Sequence, residues 1–146
     1  MIKLNLGRRH LVAIIAVCSF SIAAHGPVTP QAIDSSTLPQ LGEEWKETNP
    51  YREITGKVQE EIIRVGASAY NQNCARCHGL EGISGGIAPD LRVLPADYDG
   101  DEWYSYRVRN GAVRNGAVYM PKMSDYLSQE ALWSIRTWLE SVSVEK

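Results

Sequence analysis

Between Lys57 and Asn73 apolar residues recur every three or four positions. Val58, Ile62, Val65, Ala69 and Tyr70 share one stripe, with Glu60, Glu61 and Arg64 on the other face. That period predicts an amphipathic helix. Gly66 lies inside it and costs about 1 kcal/mol of helix propensity relative to Ala, so it predicts close packing against another helix. A second helix begins at Ser128-Gln129-Glu130 and continues to about Ser141. Its stripe is Leu132, Ile135, Trp138 and Leu139, with Trp133 flanking. Trp138 is the expected partner for the notch at Gly66. Asp101 to Val108 reads as a middle helix, with Asp101 near its N-cap and Trp103, Tyr106 or Arg107 turned inward. Asn110-Gly111 and Asn115-Gly116 then mark two turns. The expectation is an all-α domain over residues 57–146.

The chain before Lys57 has no such period. Residues 25–56 are punctuated by Pro27, Pro30, Pro39 and Pro50 and read as an irregular extension. Trp45 and Tyr51 are large for an unpacked loop and predict that the extension is pinned onto the domain. Earlier still, Lys3, Arg8 and Arg9 precede a short apolar run from Leu11 to Phe20, followed by Ser21, Ala23 and Ala24. This is the pattern of a secretory signal peptide over residues 1–24, too short for a membrane span, with cleavage after Ala23 or Ala24. Cys18 in this run raises a lipid-anchored alternative, against which the bulk of Val17 counts. An exported, periplasmic chain with no stable membrane insertion after cleavage is the expectation.

Loss of that segment changes the charge. It holds three of the 15 Lys and Arg and none of the 17 Asp and Glu, which leaves 12 against 17, a net of −5. An acidic exported chain is a poor partner for nucleic acid or anionic lipid. About 122 residues remain, enough for one compact domain and too few for two.

The candidate chemistry lies in Cys74-Ala75-Arg76-Cys77-His78. Two cysteines separated by two residues and followed at once by His form the attachment signature of a c-type haem. The thiols add across two vinyl groups as thioethers, and the imidazole beside them ligates the iron. A redox dithiol shares the cysteine spacing, but the following His and the missing βαβ pattern count against it. A zinc site would need four ligands, and only His25 remains in the exported chain. In Ala88-Pro89-Asp90-Leu91 a backbone carbonyl can accept the His78 Nδ1–H, stiffened by Pro89. Trp103, Tyr104, Tyr106, Arg107, Arg109 and Arg114 are available donors for the haem propionates; Trp103 and Arg114 are the candidates singled out. For the sixth iron position the chain offers Met120 and Met123 in Tyr119-Met120-Pro121-Lys122-Met123. A thioether favours Fe(II) and closes the iron to other ligands. Pro121 fixes the chain direction after Met120, which makes Met120 the preferred ligand and Met123 the alternative.

From Gly66 to Ser141 the chain resembles class I c-type cytochromes. The resemblance rests on Gly66 and Tyr70 ahead of CARCH, on Pro89 in APDL, on the NGA…YMP segment and on Trp138. It implies crossed N- and C-terminal helices around one covalently bound haem. The runs LGEEWKETNPYR, GASAYNQNCARCHGLEGISGGIAPDLR and NGAVYMPKMSDYLSQEALWSIR are similar to the periplasmic cytochromes c that serve PQQ-dependent ethanol dehydrogenases in pseudomonads. That similarity implies a mono-haem electron carrier that accepts electrons from the quinoprotein dehydrogenase. It would pass them to a cytochrome oxidase or another cytochrome. Two alternatives stay open: a cytochrome serving another periplasmic dehydrogenase, and a haem enzyme or sensor with an open distal site. For a carrier, the docking face is expected near Ala75, Arg76 and the Met120 loop.

Overall fold

A computed structural model describes residues 29–144; the expected signal peptide, its expected cleavage site and His25 lie outside the described residues. Four helices and one short hairpin follow in the order α1 (Lys57–Asn73), α2 (Ala75–His78), α3 (Tyr98–Asn110), β1 (Ala112–Arg114), β2 (Ala117–Met120) and α4 (Gln129–Ser141). Both long amphipathic helices lie where their periodicity put them. α1 buries Ile62, Val65, Gly66, Ala69 and Tyr70. Val58, read as part of that stripe, is instead 47% exposed in the first turn. Ser128 caps α4, its side chain accepting from the Ala131 N–H at 3.2 Å.

α1 packs against α4, and Gly66 shows why. A Cβ at that position would overlap the Ser134 carbonyl. The notch therefore receives backbone, not the Trp138 ring expected there. Trp138 stacks one turn further along, on Tyr70, with centroids 4.5 Å apart and planes 40° from parallel. The two helices touch backbone to backbone at one point and ring to ring at the next.

The middle helix is longer than expected, and its inner face differs. It starts after Asp97, whose side chain accepts from the Gly100 N–H at 3.0 Å. Asp101 is therefore not a cap. It lies within the helix, fully buried. The face turned to the protein core is Asp101, Tyr104, Ser105 and Val108, while Trp103 and Tyr106 are 39% and 58% exposed and Arg107 is half-buried. Asp101 is drawn inward by Arg136, itself fully buried, at 2.9 Å, and by Arg52 at 2.8 Å. An ion-paired partner inside the fold overrides the aspartate's preference for a helix start.

The all-α expectation also missed a hairpin. β1 and β2 pair antiparallel, with Ala112 opposite Met120 and Val113 opposite Val118. Asn115 and Gly116 form the connection with φ of 51° and 77°. Positive φ at both central positions is the requirement of the two-residue turn that suits twisted strands, and Asn-Gly meets it at little cost.

Residues 29–56 contain no helix or strand and run as a strap over α1, α3 and α4. Tyr51 is fully buried and its hydroxyl donates to the Pro39 carbonyl at 2.7 Å. Trp45 lies against Trp133 of α4, with ring centroids 5.7 Å apart, and donates to Ser105 of α3 at 2.8 Å. Asn49 donates to Asp101 and Thr137, and Arg52 bridges Asp101 and Glu140. α4 returns the contact: Glu130 accepts from the Leu41 N–H, and the Gln129 amide donates to the carbonyls of Gly42 and Glu44.

Candidate functional site

Helix α1 runs almost directly into α2, with a break at Cys74 (φ −115°, ψ −37°). The Cys77 and His78 N–H groups both donate to the Cys74 carbonyl, at 3.1 and 2.9 Å. Cys74, Cys77 and His78 thus occupy one helical turn at i, i+3 and i+4, the spacing that places side chains on one face. Both cysteines are unpaired. Desolvation, and after it the neighbouring Cys77, pushes the Cys74 thiol up to about 12. A redox dithiol needs the opposite, a thiol lowered enough to ionise near neutrality.

His78 is brought together with Pro89. Its Nδ1 lies 2.9 Å from the Pro89 carbonyl oxygen. A carbonyl only accepts, so Nδ1 carries the proton and Nε2 keeps its lone pair for a metal. The segment bearing that carbonyl is braced from behind. Asp90 accepts from Arg92 at 2.7 Å, which lowers its carboxyl to about 2. Ser84 Oγ donates to the Ala88 carbonyl at 2.6 Å. Beneath the His, the Tyr70 hydroxyl donates to the Gly79 carbonyl at 2.8 Å. Burial, reinforced by the neighbouring Cys74, raises that hydroxyl well above its usual range. Tyr70 thereby carries the support of Trp138 through to the residue that follows His78.

The two methionines have different surroundings. Met123 is buried in the core, 4% exposed, whereas Met120 is only partly buried, at the end of β2. Gly111 packs so tightly below it that a Cβ there would overlap the Met120 carbonyl. Sequence reading did not find this role for Gly111; the Asn-Gly pair had signalled only a turn. The other candidates are not gathered round His78 by any hydrogen bond. Trp103 has the Arg107 guanidinium over its ring at 5.7 Å, and exposed Arg114 lies over Tyr119 at 5.4 Å.

Residues 61–139 match the family model described as cytochrome c oxidase, cbb3-type, subunit III. The chain belongs to this family of c-type cytochromes. It is 59% identical over 139 residues to cytochrome c550 of Pseudomonas aeruginosa, a match covering 94% of this chain and 95% of that one. It is also similar to two proteins of Pseudomonas putida. The quinohemoprotein alcohol dehydrogenase ADH-IIG is 32% identical over 77 residues, and ADH IIB is 33% identical over 85. Those matches take in 53% and 58% of this chain but only 10% and 12% of the dehydrogenases. No solved structure matches.

The cytochrome is an electron carrier rather than an enzyme, and its cofactor is one covalently bound haem c. The residues present fit that group. Two unpaired thiols and an imidazole with a fixed tautomer share one turn. Leu80, Ile83, Ile87 and Val93, large and apolar yet 47–76% exposed in the segment after His78, offer hydrocarbon surface to a flat hydrophobic ring. Among the described residues no helix is long and apolar enough to cross a membrane.

Proposed function

We propose that this cytochrome is a periplasmic one-haem carrier that takes electrons from a PQQ-dependent alcohol dehydrogenase and passes them to a cytochrome oxidase or another cytochrome. Cys74 and Cys77 would hold the haem as thioethers, and the His78 imidazole and the Met120 thioether would ligate its iron, within the class I arrangement of crossed first and last helices. The observation that carries the reading is the 2.9 Å contact between His78 Nδ1 and the Pro89 carbonyl. It orients the imidazole and fixes its tautomer, as the partner of a ligating histidine does.

Bound haem supplies one-electron exchange between Fe(III) and Fe(II). The chain's own residues set the conditions for it. Pro89 holds the proton on Nδ1 of His78, and the Asp90–Arg92 pair keeps Pro89 in place. The burial of Met123 in the core supports Met120 as the thioether that would ligate. A soft neutral ligand there favours Fe(II) and raises the potential.

Similarity to part of two quinohemoprotein alcohol dehydrogenases supports a donor of that chemistry. The test is stopped-flow reduction of the ferric protein by a PQQ-dependent alcohol dehydrogenase, run beside a different periplasmic dehydrogenase. Fast reduction by the quinoprotein alone is the expected result. Equal or faster reduction by the other donor would replace it as partner.

A further inference from the structure

Residues 103–124 carry Arg107, Arg109, Arg114 and Lys122 and no Asp or Glu; setting those four aside leaves 11 Lys and Arg in the chain against 17 Asp and Glu. The contrast deepens once pairing is considered. Arg52, Arg64, Arg92 and Arg136 are each bound to a carboxylate within 2.9 Å. Among the described residues, none of the four cations of the 103–124 segment makes a salt bridge. Arg107 and Arg114 lie over aromatic rings instead. The hairpin of this segment is also apolar where it meets solvent: Val113 and Val118 face each other across the strands at 67% exposure each, and Tyr119 is 61% exposed.

We propose that the β1–β2 hairpin is the docking surface by which this cytochrome meets a redox partner whose contact face is acidic around an apolar centre. The inference rests on the electron-carrier reading above and names the face that reading uses. Unpaired cations on an otherwise acidic chain orient an approaching negative surface and raise the encounter rate. Exposed Val and Tyr then give a dry contact to close on. The hairpin is also tied to the site: Ala112 pairs with Met120, and Gly111 backs the Met120 carbonyl. A partner seated on the hairpin is therefore in contact with the strand that carries the proposed axial ligand.

The test compares Lys122→Glu, at the foot of the hairpin just past β2, and Tyr119→Ser with Lys57→Glu, which makes the same change in net charge at the first residue of α1. Each ferric protein is reduced by a PQQ-dependent alcohol dehydrogenase and, separately, by an uncharged hydroquinone. Lys122→Glu is expected to slow the dehydrogenase reaction on the order of tenfold in low salt, with the gap shrinking in high salt. Tyr119→Ser slows it severalfold at both. Lys57→Glu stays within about twofold. All three keep the hydroquinone rate and the long-wavelength sulfur-to-iron band. If the wild-type protein is reduced and both hairpin variants match it, the hairpin is not the docking face. An altered band in Lys122→Glu would show that the change acts through the Met120 loop rather than through docking, and would overturn the assignment. A wild-type protein that the dehydrogenase fails to reduce overturns the carrier reading and this inference together.

Discussion

Met120 and Met123 are three residues apart and chemically identical, so only their surroundings separate them. Met123 fills a gap in the core, a common use of this flexible side chain. Replacing each with Ala should split two effects. Met120→Ala is expected to abolish the long-wavelength sulfur-to-iron absorption while the fold holds. Met123→Ala should keep the band and lower stability by about 2–4 kcal/mol, read from a urea midpoint. The His78 partner was legible, because a Pro in APDL beside a Gly-rich loop leaves few carbonyls able to reach Nδ1. Pro121 favoured Met120 from the sequence; the burial of Met123, which spacing does not encode, supports the same proposal. Acid gives a second residue-scale prediction. Arg92 holds the folded Asp90 carboxyl at about 2, below the roughly 4 of an unfolded aspartate. A depressed carboxyl stabilises the fold above the unfolded value and loses that contribution as pH falls towards the folded one. The stability difference between wild type and Asp90→Asn should thus be constant above about pH 5 and close between roughly pH 4 and 2. A gap that persists at the acid end would show that the Arg92 pair does not brace this segment.

At the scale of elements, α1 and α4 were legible because each writes its buried stripe at helical spacing. Their mutual contact was legible only in part. A glycine in a helix announces a close approach, and the largest neighbouring ring was the natural guess for what approaches. The Ser134 backbone takes the place because two helices that meet at a glycine can bring their main chains together. Gly66→Ala should therefore destabilise despite Ala's better helix propensity, by about 1–3 kcal/mol in thermal or urea unfolding. An increase in stability would mean that the helices can part without loss. The hairpin escaped the periodicity argument for a different reason. Its strands are three and four residues long and mostly exposed, so no buried face imposes alternation. Asn115-Gly116, between Val-containing runs, was the one signal present.

Across the whole molecule, the strap joins its ends to both long helices and to α3. Trp45 and Tyr51 signalled contacts with the domain, and within the described residues 29–56 both make them. The polar ties were invisible, since Asn49 and Arg52 find partners 49 to 91 residues away and no local rule relates such positions. Trp45 lies over Trp133 and anchors to Ser105, so Trp45→Ala should cost about 3 kcal/mol or more in urea unfolding and shift the emission of the remaining tryptophans to the red. Unchanged stability would reduce the strap to a passive cover.

Trp133 and Arg136 are fully buried, and both meet the strap or its partners. Their bulk and charge suit a helix face that another part of the same chain roofs over. A protein engineer who fused residues 57–144 to another protein as a portable redox module would lift that roof. The indole of Trp133 would meet water, and Asp101 would keep Arg136 but lose Arg52 and Asn49. Such a graft calls for a smaller residue at 133 and an uncharged pair at 101 and 136, or for the strap to travel with it.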